Sequence, residues 1–232
     1  MAKETRGKIY GVAGPTVVAS GMGGATMNTV CLVGKDGLLG EIIRVKDDLA
    51  TLQVYEDTGG LTVGEDVVSY AKPLSVTLGP GLLTNIFDGI QRPLQEMKES
   101  GVDWIGKGLK AEPLDMDRPW EFTPLMKKGD PAEAGDVVGA VRETERIEHR
   151  VMVPPGMKGV IKEIRSGKVT GRDTVCTFED GGEDGSGFGL YREWPVRKPR
   201  PCKSKLPPQT PFITGQRVFD TLLPVATGGT AI

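Results

Sequence analysis

The first question this sequence raises is whether any of its reactive residues group into a site. The most pointed pattern is Gly101-Val-Asp-Trp-Ile-Gly106-Lys107, which has the GxxxxGK spacing of a phosphate-binding loop. In such a loop backbone N–H groups cradle phosphate oxygens, the lysine reaches the outer phosphates, and a following Ser or Thr holds magnesium. Here Gly108 stands where that hydroxyl belongs, and residues 94–100 upstream are polar and helical in character, not a buried strand. The match is read as fortuitous. Gly185-Ser-Gly187-Phe-Gly189 and Gly21-Met-Gly23-Gly24 neither follow a clear strand nor open a helix, and read as turns. Glu179, Asp180, Glu183 and Asp184 lack the alternating oxygen ligands of a calcium loop and read as a solvated hairpin tip. His149 is the only histidine, which excludes a multi-histidine metal site, and no Ser or Cys beside it sets up nucleophilic catalysis; it reads as a solvated strand position. Cys31, Cys176 and Cys202 are odd in number and widely spaced, so they suit buried or incidental thiols, not a disulfide framework or a CxxC metal site. No catalytic residue and no metal ligand set can be named in the chain.

Bulk composition narrows the classes further. A net charge of -2 provides no general attraction to nucleic acid or to an anionic membrane. The basic run Arg197, Lys198, Arg200, Lys203 and Lys205 is interleaved with prolines, so it lacks the aromatic platforms on which bases stack. No apolar run is long enough to span a bilayer, and the opening Met-Ala-Lys-Glu-Thr-Arg is neither a signal nor a transit peptide, which leads to an expected cytoplasmic location. With 33 Gly and 17 Pro in 232 residues, turns are frequent and strands should be short.

The elements that must position these residues follow from periodicity. Residues 9–12, 17–19, 27–33, 38–45, 49–55 and 66–70 read as strands, with Ala50, Leu52 and Val54 alternating against Thr51 and Gln53. Strands this closely spaced leave no room for helices between them and predict a small antiparallel barrel. From Pro80 the period changes: Leu82, Ile86 and Ile90 recur every four residues beside Leu83 and Phe87, which predicts a helix, broken near Gly89 and Pro93 and followed by a short helical stretch at 95–100. Residues 111–190 return to β character as an inserted module. The Pro-rich stretch 194–211 reads as an extended connector, and Val218, Leu222 and Val225 give a helical pattern over 215–226.

In the insert, Gly135-Asp-Val-Val-Gly-Ala-Val141, Glu143-Thr-Glu-Arg146, Val153-Pro-Pro-Gly156 and Gly159-Val-Ile-Lys-Glu-Ile164 come in an order similar to that of lipoyl and biotinyl carrier domains. Arg146 stands where the carrier lysine would be, and a permanently protonated guanidinium is no acyl acceptor. That resemblance implies a sandwich-like β module without swinging-arm chemistry.

A second resemblance covers nearly the whole chain. Gly7-Lys-Ile-Tyr-Gly-Val-Ala-Gly-Pro-Thr-Val-Val18, Gly40-Glu-Ile-Ile-Arg44, Gln53-Val-Tyr-Glu-Asp-Thr-Gly-Gly-Leu61, Leu74-Ser-Val-Thr-Leu-Gly-Pro-Gly-Leu-Leu83 and Ile86-Phe-Asp-Gly-Ile-Gln-Arg-Pro-Leu94 resemble, in order, the opening of the catalytic A subunit of archaeal and vacuolar-type rotary ATPases. Trp120-Glu-Phe-Thr-Pro124 and Glu143-Thr-Glu-Arg-Ile-Glu-His149 resemble the insertion that distinguishes it from its non-catalytic B partner. Pro199-Arg-Pro201, Thr214-Gly-Gln-Arg217 and Gly228-Gly-Thr-Ala-Ile232 resemble the return into its nucleotide domain.

The fold class expected is mainly β: an N-terminal antiparallel β-barrel over 1–71, the start of a P-loop α/β nucleotide-binding domain over 72–110, an inserted barrel-sandwich bulge module over 111–194, and a connector and return into the nucleotide domain over 195–232. The resemblance implies that the complete subunit makes or hydrolyses ATP coupled to proton or sodium transport, using ATP or ADP and Mg2+. In the family the phosphate loop follows soon after the Gly-Gly-Thr-Ala segment, so it is expected beyond Ile232, and this chain alone is expected to bind no cofactor and to be inactive. Residues 72–110 and 195–232 should then be poorly covered by their own chain. Implied partners are B subunits in an alternating ring, a central stalk, and a peripheral stalk at the β insert, with membrane contact only indirect and a cytoplasmic location peripheral to the cell membrane. Arg92 and Arg217 lie in family-like segments at helix ends, and two roles are open for them: structural ion pairing, or contact with nucleotide or a neighbouring subunit. Two other classes stand beside this reading: a free-standing β scaffold or regulatory protein, and a degenerate carrier domain.

Overall fold

The structure is a computed structural model that describes residues 4–83, 85–99, 101, 105–179, 187–201, 207 and 209–230. The first six strands are β1 (Thr5–Ala13), β2 (Thr16–Ser20), β3 (Thr29–Val33), β4 (Leu38–Lys46), β5 (Leu49–Val54) and β6 (Asp66–Pro73). They fall where the alternation in the sequence puts them. All pairings are antiparallel, and the order β1-β2-β5-β4-β3-β6 closes on itself, so every strand finds two neighbours and no edge is left for another chain to pair with. One side chain in two points inward: Ile9, Val17, Ala19, Ile42, Leu52 and Val67 form the barrel core. Gly7 is required by close packing, because a Cβ there would collide with the Ser20 carbonyl and the Met22 side chain.

Beyond the barrel the sequence reading needs correction. The described residues among 82–90 are not helical. Asp88 diverts the backbone instead: its carboxylate accepts the N–H groups of Ile90 (3.1 Å) and Arg92 (2.8 Å), and Gln91 takes a positive φ of 64°. The Leu94 N–H donates to the Ile86 carbonyl, and Phe87 bridges Pro93, so the stretch folds back on itself as a tight hairpin-like turn. An aspartate offering its own acceptors to nearby backbone donors competes directly with helical bonds, and here it wins. Among the described residues of 82–101 helix is confined to α1 (Leu94–Glu99), which starts one residue earlier than the 95–100 expected. Just before this turn, β7 (Ser75–Leu78) pairs antiparallel with β15 (Arg192–Pro195), so the chain leaves for the insert and returns beside the strand it left.

The insert contains β8 (Trp120–Pro124), β9 (Pro131–Ala132), β10 (Val137–Arg142), β11 (Glu148–Met152), β12 (Gly159–Ile164), β13 (Gly167–Val169) and β14 (Cys176–Phe178). They make a four-stranded sheet of order β11-β10-β8-β13 and a three-stranded sheet of order β14-β12-β9. Both sheets contribute to one apolar core, with Phe122, Val138, Val151, Ile161, Val175 and Phe178 at its centre. Gly139 in β10 is a tight point of this core, since a Cβ there would overlap the Phe122 ring and meet the Thr123 carbonyl at 2.8 Å.

The chain divides into two compact units, residues 1–197 and 198–232. The second holds β16 (Pro211–Phe212) paired antiparallel with β17 (Val225–Ala226), and α2 (Arg217–Leu222). The expected helix therefore ends at Leu222, because Pro224 cannot continue it, and Val225 belongs to a strand. Phe212, Ile213, Val218, Phe219, Leu222 and Leu223 of this unit are all more than half exposed.

Because overpacking a closed core strains its rotamers, Gly139→Ala should destabilise the chain by about 1–3 kcal/mol. Thermal unfolding followed by near-UV dichroism would measure it. Gly11→Ala is the control: nothing lies within 4 Å of a Cβ built there, and its midpoint should stay close to the parent's.

Candidate functional site

Three of the charged residues the sequence singled out, Arg92, Lys107 and Arg197, fall where the barrel joins the segments that come after it. The centre of this junction is Glu56, just past the end of β5. Glu56 Oε1 accepts the Leu39 N–H of the barrel at 3.3 Å, and Oε2 accepts the Gly108 N–H at 2.9 Å and the Arg92 guanidinium at 3.2 Å. Arg92 also clasps Asp88 through Nε at 2.6 Å. The side chains of Arg92, Glu56 and Asp88 are 13%, 9% and 16% exposed, so the group is nearly closed to water. Burial alone would raise the Asp88 carboxyl, but the Arg92 N–H and guanidinium outweigh it and hold that carboxyl below its ordinary range. Arg92 is thus the centre of an ion-pair network.

A second clamp lies on the neighbouring strand. Glu41 of β4 is 1% exposed, and its carboxylate takes a forked pair of hydrogen bonds from Arg197, Nε to Oε1 at 3.0 Å and a terminal N–H to Oε2 at 2.6 Å. The Tyr55 hydroxyl donates to Oε2 at 2.7 Å. Arg197 holds the Glu41 carboxyl below its ordinary value against the opposing effect of burial, with Tyr55 adding to the lowering. Burial and the adjoining carboxylate push the Tyr55 phenol up to about 12.

Sequence reasoning missed Glu41, Glu56 and Tyr55 altogether. The one signal for Glu41 was a lone carboxylate inside the apolar run 38–43. The phosphate-loop match also lands at this junction. Residues 102–104 within it lie outside the described residues, but Lys107 is committed elsewhere: its ammonium donates to the Gly59 carbonyl at 2.6 Å and pairs with Asp57 at 2.8 Å. Gly108 is there because Asp36 is: a Cβ would overlap the Asp36 carbonyl, and φ is +64°. Among the described residues, neither the preceding strand nor the free lysine of a phosphate loop is found here.

The other candidates are dispersed. Arg217 opens α2 in the second unit and is exposed, with its carbonyl taking the Thr221 hydroxyl at 2.7 Å. Arg146 sits exposed in the turn joining β10 to β11. His149 in β11 is half-buried, not solvated as expected, and its ring lies 3.9 Å from the nearly buried Glu143 carboxylate. Cys31 and Cys176 are buried free thiols pushed up by burial to about 12 and about 11, the first helped by Glu41. Cys202, Asp180, Glu183, Asp184, Gly185, Lys203 and Lys205 lie outside the described residues. Among those described, no three His, Cys, Asp or Glu side chains converge as a metal site, and no helix is long and apolar enough to cross a membrane.

Two outcomes test the junction. Arg92→Ala leaves two nearly buried carboxylates facing each other without a counter-charge and should cost about 3 kcal/mol, measured by chemical unfolding. Glu41, whose carboxyl is lower in the folded chain than in the unfolded one, adds stability that is fully present above about pH 5 and fades as pH falls through its depressed value. The stability gap between parent and Arg197→Ala should therefore be widest near neutral pH and close in acid, read from unfolding curves across a pH series.

Known proteins share these parts in the same order. Residues 9–70 match the beta-barrel domain of the ATP synthase alpha/beta family, and residues 111–197 match the barrel-sandwich domain of ATP synthase alpha/beta subunits. The chain is 51% identical over all 232 residues to the A subunit of the A-type ATP synthase of Methanopyrus kandleri, covering 39% of that protein. It is 50% identical over 228 residues to the corresponding A subunit of Methanosarcina mazei, and 49% identical over 227 residues to the V-type ATP synthase alpha chain of Acetivibrio thermocellus, covering 98% of this chain and 39% and 38% of theirs. The chain thus spans about two fifths of the length of these relatives. With barrel and barrel-sandwich both matched, in that order along the chain, and about half of all residues identical to these relatives, the chain belongs to the ATP synthase alpha/beta family.

Proposed function

We propose that these 232 residues serve as the N-terminal part of the catalytic A subunit of a rotary ATP synthase, which makes or hydrolyses ATP coupled to proton or sodium transport. The observation that carries this reading is the 51% identity to an A-type relative over the whole chain, insert included. In this reading the barrel joins A to B subunits in an alternating ring that surrounds a central stalk, the barrel-sandwich module faces a peripheral stalk, and the assembly sits in the cytoplasm against the membrane. Residues 72–110 and 195–232 belong to the nucleotide-binding domain. ATP or ADP with Mg2+ is bound by the complete subunit: loop amides and a lysine hold the phosphates, and magnesium serves in-line transfer. No GxxxxGK followed by Ser or Thr occurs in these residues, so they contribute assembly and positioning. Arg92 acts as a strut, and exposed Arg217 is left to face a nucleotide or a neighbouring subunit.

The test is a chimera in which these residues replace the matching part of the Methanosarcina mazei A subunit, which is then assembled with its B subunits. The chimera should form the ring and retain ATP hydrolysis within about tenfold, since the chemistry resides in the other part. A folded chimera that fails to assemble would sink the proposal. Calorimetry of the 232-residue chain with Mg-ATP should detect no binding at micromolar strength, about -8 kcal/mol; tight binding would move the nucleotide site into this chain.

A further inference from the structure

The barrel-sandwich module meets the rest of its unit at two chain crossings, before β8 and through β15. A module tethered at two points retains one rotation, about the line joining them, unless a third contact removes it. Besides the packing of Gly79 and Gly81 on rings of the module, the structure supplies a directional contact of this kind from an unexpected place. Glu143, just past the end of β10 and about sixty residues along the chain, reaches the segment after β7, where one oxygen, Oε1, accepts the N–H of Gly81 at 2.7 Å and of Leu83 at 3.1 Å. The Glu143 side chain is 5% exposed, and its second oxygen lies 3.9 Å from His149 Nδ1.

The segment it grips is shaped to be gripped. Gly79 presses on the Tyr191 ring so closely that a Cβ would overlap it, and Gly81 lies against Trp120, whose indole N–H donates to the Tyr191 hydroxyl at 3.0 Å. Asn85 holds the Gly81 carbonyl at 2.7 Å. The turn 79–83 therefore runs over two aromatic rings of the module with a carboxylate closing over it. Both amides lie beyond the end of β7 and outside any sheet ladder, which leaves Glu143 as the acceptor that satisfies them.

We infer that Glu143 is an orientation latch: its carboxylate fixes the barrel-sandwich module against the 79–83 turn, and its release frees the module to swing on its two crossings while both cores stay folded. A charged acceptor holding two backbone donors is among the stronger hydrogen-bonding arrangements, yet it is a single side chain and can open without unfolding either sheet.

The experiment uses the full chain with Glu143→Ala and Glu143→Gln, the latter keeping a neutral acceptor oxygen in place. Hydrogen exchange at Gly81 and Leu83 should speed up at least about tenfold in Glu143→Ala and stay within about threefold of the parent in Glu143→Gln. Amides of Val138 and Val141 in the module and of Val17 and Leu52 in the barrel should keep their protection in both. In a Cys202→Ser background, spin labels placed at Lys46 in β4 and Lys168 in β13 should give a broadened distance distribution in Glu143→Ala alone. Unchanged exchange at Gly81 and Leu83, or an unbroadened distribution, would overturn the latch. So would loss of protection throughout β10 and β11, which would make Glu143 a part of the module's own fold.

Discussion

Two carboxylates in and beside the barrel wall dictate how the rest of the first unit is arranged. Glu41 and Glu56 are withdrawn from water, and a carboxylate left there without a counter-charge would either pick up a proton or force the wall open. The barrel does not neutralise them with its own strands. The counter-charges come from Arg92, 36 residues after Glu56, and Arg197, 156 residues after Glu41. Each arginine arrives with its own segment, the turn at 86–94 in one case and the end of β15 in the other. Satisfying the two charges therefore docks both flanks of the β7–β15 pair onto the barrel.

That docking explains how a large β insert can be accommodated. The chain departs after β7 and returns through β15 at hydrogen-bonding distance, so the module between them imposes no strain on the barrel. The module keeps its own core, separate from that of the barrel, and glycines mark where packing is close: Gly139 against Phe122 within it, and Gly171 of the module and Gly79 before it against the two sides of Tyr191. Architecture of this kind suits the family to which the chain belongs, in which the barrel and barrel-sandwich domains are matched as separate pieces.

The charged residues with chemical promise turn out to be used for attachment. Lys107 looks like a phosphate ligand in sequence, yet its ammonium is bound to an aspartate and a carbonyl at the edge of the barrel. Arg92, for which the sequence leaves open structural ion pairing or contact with nucleotide or a neighbouring subunit, pairs with Asp88 and Glu56. In both cases the residue type read correctly as a cation seeking an acceptor; what the acceptor is depends on folding.

The strands of the barrel and the β character of the insert were legible directly, because a sheet with one buried face imposes a period of two on the chain and turns demand Gly, Pro and Asp at their corners. The family resemblance was legible for the same reason that the strands were: long ordered runs survive as text. What periodicity could not reveal was which local interaction would prevail at residues 82–90, where a helical spacing of apolar side chains lost to the carboxylate of Asp88, nor where Glu41, Glu56 and Glu143 would find their partners. Those three are decided only in the tertiary structure, since a charge is satisfied by whatever folding brings within about 3 Å of it, and the partners stand tens to more than a hundred residues away along the chain.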